Sequence, residues 1–335
     1  MYKRLLTLAV LVGSALINTA CYAAASTTAA TKYPIVLVHG MAGFDSIMGI
    51  DYFYQVPAEL RKNGATVYVA SMSSFNDNDV RGEQLLKQMK AWAAAKGYTK
   101  FNIIAHSQGG PTARYVQGVA PDMVASITSV GSPHDLTAMQ GSNALGDLLT
   151  NYSKVVAAFG SVIGWASGSS NLPQDPVALQ AWAANTAAFN ARFPAGKPTT
   201  YCGEGAEKVG NTYFYSVTGN QPATNSWDIS DAILKQAAAS TPGVATDGLV
   251  PVCAAHWGKV LRDDYPWNHL DEINHVLGLI GKGAPDPVAF YVQQASRLKL
   301  KGLLRQNDPG LPRPGIRGPG SMIGGNTRSD LRTSP

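Results

Sequence analysis

The chain has little charge: Asp, Glu, Lys and Arg together make up 15% of its 335 residues. Its formal net charge of +5 does not describe an electropositive face. Lys3 and Arg4 hold two of those charges, and five arginines against two aspartates in 302–335 hold three more, so the body of the chain is close to neutral. No RNA- or DNA-binding motif accompanies the basic ends, which excludes a nucleic-acid partner. Three cysteines are too few for a disulfide-dense scaffold. Past residue 17 no run is apolar enough to cross a membrane. The absence of internal repeats excludes a solenoid or propeller. What remains, with 45% hydrophobic residues, is a globular chain long enough to bury a sizeable core.

The one long apolar run, Leu5 to Ile17, follows Lys3 and Arg4 and is followed by Ala23-Ala24-Ala25. A basic start, a short apolar stretch and an A-x-A-like site define a secretory signal over 1–25. Export is therefore expected. Its removal takes Cys21 away, and the two cysteines left, Cys202 and Cys253, are expected to pair. At the other end, 302–335 is rich in Pro, Gly and Arg, and such a segment cannot bury enough surface to fold.

Between these ends, short apolar runs alternate with helical patterns. Tyr33 to His39, Ala65 to Ala70, Phe101 to Ala105 and Ser126 to Val130 read as strands. Tyr52 to Asn63 reads as a helix ended by Gly64. A second helix, Val80 to Lys96, is capped by Asp79 with Leu85, Leu86, Met89, Trp92 and Ala93 on one stripe, and a third runs from Gly109 to Val119. Strand–helix alternation predicts an α/β fold with a mostly parallel central sheet covered on both faces. From 145 to 163 apolar residues fall at 145, 148, 149, 152, 155, 156, 159, 162 and 163, a helical stripe flanked by Gly/Ser/Asn segments. That pattern fits a core helix or a mobile lid, spanning about 135–170, with its apolar face over an active site.

Phe101 to Gly110 reads FNIIAHSQGG. A strand followed by Ala105-His106-Ser107-Gln108-Gly109 has the outline of a nucleophile elbow, with Ala105 in place of the usual first glycine. A serine hydroxyl needs a histidine to take its proton and a carboxylate to orient that histidine. In the order Ser…Asp…His the available bases are His256, His269 and His275, while His39, His106 and His134 precede or crowd the elbow. Asp247, in the stretch TDGLVP, is a candidate acid just before an apolar strand start, though an aspartate beside a glycine is often a turn-former.

Seven blocks then appear in order: KYPIVLVHGMAGFD, VRGEQLL, AHSQGGPTARYV, SVGSPH, CGEGAEKV, TDGLVPVC and NHLDEIN. Over residues 32–301 the chain resembles the secreted true lipases of Gram-negative bacteria, the Pseudomonas and Burkholderia type. The resemblance implies an α/β-hydrolase fold and hydrolysis of carboxylic esters, with triacylglycerols as the usual substrate. A polyester-cleaving esterase and a non-catalytic hydrolase-fold binding protein are the other readings. Carried over by motif, Ser107, Asp247 and His269 are the triad, the backbone N–H groups of Met41 and Gln108 form the oxyanion hole, and His39 is structural. The two glycines would keep space around Ser107 for the ester carbonyl.

The resemblance also implies a structural calcium ion, held by the carboxylates of Asp228 and Asp271 and the main-chain carbonyls of His275 and Leu279. Oxygen ligands suit that hard cation. It further implies a dedicated membrane-anchored foldase as partner, and a monomer. After SVGSPH the family often continues with Lys-Gly-Ser, whereas Asp135-Leu136-Thr137 stands here.

Overall fold

The computed structural model describes residues 26–44, 46–47, 50–139, 150 and 172–304. The expected signal over 1–25, all of the 302–335 tail but the three residues that end α7, and nearly all of the 145–163 stripe lie outside the described residues. Strand β1 is Ile35–Val38, the two-residue β2 (Ser46–Ile47) and β3 (Ile50–Asp51) pair with each other, and helix α1 is Val56–Lys62. Then follow β4 (Val67–Val69), α2 (Asn78–Lys96), β5 (Phe101–His106), α3 (Gly109–Val119) and β6 (Val124–Val130). The second half holds α4 (Pro176–Ala184), α5 (Thr186–Arg192), β7 (Lys208–Val209), β8 (Thr212–Gly219), α6 (Ile229–Ala238), β9 (Lys259–Tyr265) and α7 (Pro287–Leu304).

Seven strands form the main sheet in the order β4-β1-β5-β6-β8-β7, with β9 also on β8; only the β7–β8 pairing is antiparallel. Alternation along the strands builds two cores. Ile35, Leu37, Ile104 and Val217 face α1 and α7, where Val56, Leu60 and Tyr291 meet them. Val36, Val38, Ile103 and Ala105 face α2 and α3, against Leu85, Met89, Ala113 and Val116. Each such side chain removed from water contributes about 1.5–3 kcal/mol. All six residues of β5 are buried, as a central parallel strand requires.

Three local expectations differ from the structure. Helix α1 starts at Val56 rather than near Tyr52, because Pro57 fits only the first turn of a helix, where no N–H is needed. The cap of α2 is Asp77, not Asp79: Asp77 sits in extended backbone and accepts the N–H groups of Asp79 and Val80 at 3.0 and 2.9 Å. Asp79 instead pairs on the surface with Arg192. No strand begins directly after Asp247, where the chain makes an isolated bridge between Thr246 and Pro251 and then a short 3₁₀ turn; β9 starts only at Lys259. Cys202 and Cys253 are joined by a disulfide closing a 51-residue separation, a link that typically contributes about 2–4 kcal/mol.

Candidate active site

Ser107 stands where β5 hands the chain to α3, at the carboxyl edge of the sheet. Its φ is +54°, an uncommon backbone for a non-glycine residue and the strained turn that a nucleophile elbow requires. Its N–H is fixed by the Val130 carbonyl of β6 at 2.9 Å. The glycine after it serves packing rather than open space. A Cβ on Gly109 would lie 2.5 Å from the Val38 carbonyl oxygen, so the missing side chain is what lets α3 close onto β1. The expectation that both glycines clear room above Ser107 is corrected on this point: the second, Gly110, is filled from the side by Ser132. Ala105 is wholly buried in the α2–α3 core, where its methyl group is accommodated.

The expected acid and base, Asp247 and His269, come from two later loops. Asp247 is fully buried in a tight turn, and its Oδ1 accepts the N–H groups of Leu249 and Val250 at 2.8 and 2.7 Å. That leaves Oδ2 for His269 Nδ1, 2.7 Å away. The backbones are joined too, the His269 N–H donating to the Asp247 carbonyl at 2.9 Å. His269 follows Trp267, which is fully buried, stacks on Tyr265 at 3.8 Å and donates its indole N–H to Pro285 O. The anchored tryptophan sets where the histidine loop leaves β9. On the sheet side the His269 ring packs at 4.5 Å against the ring of His106, the residue just before Ser107. The structure thus joins Asp247 to His269 and packs the His269 ring on the neighbour of Ser107. His256 lies elsewhere, bonded to Asp263 and the Gly203 carbonyl, and His134 packs on Trp257 beside Arg114.

The loop after β1 presses on Ser107. A Cβ on Gly40 would fall 2.6 Å from Ser107 Cβ, so only glycine fits there. Buried Arg81 holds this loop with its guanidinium, donating to the carbonyls of His39 (2.6 Å), Gly40 (3.2 Å) and Ser73. His39 donates from Nδ1 to Gly40 O and accepts the Met72 N–H at Nε2. Burial, with the Arg81 charge, lowers its pKa to about 3, so it is a neutral strut. Neither Arg81 nor its role is legible from the block VRGEQLL alone.

Met41 and Gln108 border, with Ser107, a small open cleft. Its walls are apolar: Leu136, Leu179, Trp182, Leu249 and Val250. One wall is tied to α5, since Asn190 Nδ2 donates to His134 O at 2.9 Å and the Leu136 N–H donates to Thr186 Oγ1 at 3.1 Å. Buried Arg114 braces Asn190 through its Oδ1 (2.8 Å) and donates to Phe193 O (2.7 Å).

Of the expected metal ligands, Asp228 and Asp271 are both buried. Asp228 Oδ1 accepts from Ser230 N and Oγ, and Asp271 Oδ2 accepts from Thr224 Oγ1 and Asn268 N. The second oxygen of each, Asp228 Oδ2 and Asp271 Oδ1, is buried without a hydrogen-bond partner. Burial pushes the Asp271 carboxyl up to about 7, with the charges of Asp228 and Asp231 adding to it, and burial raises Asp228 as well. The His275 ring packs near Phe44 and Tyr52, so only its main chain faces the question of ligation. Between His275 and Leu279, Val276 and Leu277 hold φ of +51° and +60°, a strained turn for a β-branched residue. His106, His269 and Glu272 also converge within 4.8 Å, but His269 Nδ1 is bonded to Asp247 and His106 Nε2 to the His269 carbonyl. That cluster is a hydrogen-bonded one.

The α/β-hydrolase fold family model matches residues 33–261. A triacylglycerol lipase of Vibrio cholerae is 44% identical over 290 residues, covering 82% of this chain and 89% of that protein. A triacylglycerol lipase of Burkholderia plantarii is 40% identical over 322 residues, covering 84% and 89%. One from Pseudomonas fragi is 36% identical, covering 82% and 98%. Among solved structures, a Bacillus licheniformis lipase in its mature form shares the fold at a TM-score of 0.51 and 16% identity, covering 72% of this chain and 87% of that one. On this fold and these relatives, the chain belongs to the α/β-hydrolase family, in the branch that holds these triacylglycerol lipases.

Proposed function

We propose that this protein is an exported lipase that hydrolyses the ester bonds of triacylglycerols through a serine acyl-enzyme. The observation that carries the reading is the buried Asp247–His269 pair, its ring packed on His106 next to Ser107, which itself borders an apolar cleft. Ser107 Oγ attacks the ester carbonyl carbon while His269 Nε2 takes its proton. Asp247 holds Nδ1–H and so keeps Nε2 free as acceptor. The oxyanion that forms is met by the N–H groups of Met41 and Gln108; removing one such donor typically costs ~10²–10³ in rate. The carbon–oxygen bond to the glycerol breaks, and the leaving alkoxide receives the proton from His269. Water then attacks the acyl-enzyme, gives its proton to His269, and the fatty acid leaves as Ser107 recovers its own. An apolar cleft suits an acyl chain better than a polar acid or alcohol.

Acid release from emulsified tributyrin and triolein, followed by titration, tests the substrate class. Release from both is expected. Turnover of a dissolved nitrophenyl ester or a polyester film, with none from either triacylglycerol, would move the protein to the polyester reading. The preference for an interface rests on the apolar stripe at 145–163 in the sequence. A membrane-anchored foldase belongs to the same proposal, and full activity after expression of this chain alone would remove it.

The proposal includes a calcium ion held by Asp228 and Asp271 with the main-chain carbonyls of His275 and Leu279. Two buried carboxylate oxygens without partners fit a cation, which would offset their mutual repulsion. The ion supplies positive charge that ties the His269 loop to the start of α6. Chelation is expected to lower the melting temperature by about 5–10 °C, the size expected for loss of a ligand present well above its Kd. Asp228→Ala should give the same drop and make the protein indifferent to added calcium. Unchanged melting after chelation, with no calcium by elemental analysis, would remove the ion.

A further inference from the structure

Three buried groups that the triad does not use, the Gly40 N–H, Tyr52 and the His106 ring, form one line of hydrogen bonds that ends on the His269 backbone, with Glu272 close beside it. The Gly40 N–H donates to Tyr52 Oη at 3.2 Å. Tyr52 Oη and His106 Nδ1 are 2.7 Å apart. His106 Nε2 stands 3.0 Å from the His269 carbonyl oxygen and 3.2 Å from Glu272 Oε2. Glu272 is held in turn by the Gly219 N–H at 2.7 Å.

Chemistry fixes the direction of every bond. A carbonyl oxygen only accepts, so His106 Nε2 must carry the ring proton. Nδ1 is then the acceptor, and Tyr52 O–H must donate to it. That leaves the Tyr52 oxygen lone pairs for the Gly40 N–H. Burial keeps the His106 ring neutral, which agrees with a single ring proton. Tyr52 itself is packed among Phe44, Phe53 and His39, so its hydroxyl has little freedom to turn elsewhere.

The two ends of this line matter for the reaction. Gly40 precedes Met41, whose N–H is one proposed oxyanion donor, and it lies so near Ser107 that a Cβ would not fit. The other end is the backbone of His269, the proposed base. We infer that Tyr52 and His106 are positioning residues that lock the oxyanion loop and the base loop to the nucleophile strand in one register. Without Tyr52 Oη, Gly40 loses the partner that sets its distance from Ser107, and the His106 ring loses the bond that fixes its plane against His269. The inference rests on the serine-hydrolase reading above. It adds that the hole and the base are held by a shared line rather than by separate loops.

Tyr52→Phe severs the line while keeping the ring packing. On a dissolved nitrophenyl butyrate, kcat is expected to fall about tenfold with KM within twofold, since small misplacements at a reacting centre carry losses of this order or larger. Inhibition by a trifluoromethyl ketone, whose serine adduct bears an oxyanion, should weaken by the same factor, whereas inhibition by butanol should not change. His106→Gln is the second variant: its amide can still donate toward the His269 carbonyl but offers Tyr52 no matching acceptor, so it should show the same kcat loss. Wild-type turnover measured alongside separates the two readings, because an inactive wild type counts against the hydrolase assignment and not against the relay. A lower melting temperature with kcat and ketone inhibition unchanged, in whichever variant folds, would make the line mere scaffold and overturn the proposal. Failure of both variants to fold would overturn it equally.

Discussion

Replacing Ser107 with alanine is expected to lower ester hydrolysis by at least about 10⁴-fold, with the melting temperature within a few degrees of wild type. In the proposed mechanism this hydroxyl becomes acylated, and among the described residues Ser107 is the one serine with positive φ, at the strand-to-helix turn next to His106. The change removes one oxygen from a residue whose backbone is held by Val130 and whose Cβ packs on Gly40, so the fold keeps its contacts. His269→Ala should fall as far, because nucleophile and base act as one unit and the second loss adds little to the first. Its measurement is the initial rate on a dissolved nitrophenyl ester, with circular dichroism to follow folding. Near-normal turnover by His269→Ala would redirect the search to His256 or His275.

The second large effect is expected from Asp247→Asn, about 10³–10⁴-fold in kcat. Geometry makes asparagine worse than a simple loss of charge. Asp247 Oδ1 is committed to two backbone N–H groups, so an asparagine oxygen must stay there. Its amide nitrogen is then forced toward His269 Nδ1, which must become an acceptor. The ring proton moves to Nε2, where it blocks transfer from Ser107. Activity should therefore fall without a matching fall in stability, since size and backbone bonds are conserved. A kcat within tenfold of wild type would show that His269 does not depend on this carboxylate for its tautomer.

The central sheet was legible because strands buried on both faces write continuous apolar runs, as in IVLV of β1 and FNIIAH of β5. Edges were less so. The start of α1 depends on Pro57 and the cap of α2 on a choice between two aspartates two residues apart. Residue order alone left three histidines open, and the ordered blocks resembling the lipases narrowed them to His269. The roles of Tyr52, Glu272 and Arg81 were not readable, although the last two lie in the blocks NHLDEIN and VRGEQLL, because a buried polar residue declares its role only through a partner far away in sequence. His106 illustrates this: it sits inside the elbow motif, yet its partners lie 54 and 163 residues away. The apolar cleft was hidden likewise, its walls coming from Leu136 and Leu249 on separate loops and Leu179 on α4.

The central claim is that Ser107 is the nucleophile of an ester hydrolase. The most direct test is reaction of the purified protein with a nitrophenyl alkylphosphonate, which transfers its phosphonyl group to an activated serine and releases nitrophenol. Mass spectrometry of the digested protein should find one phosphonyl group per chain, on the peptide containing Ser107, with loss of hydrolysis in proportion to labelling. Labelling of another residue, or full labelling elsewhere with Ser107 unmodified and hydrolysis gone, would contradict the account.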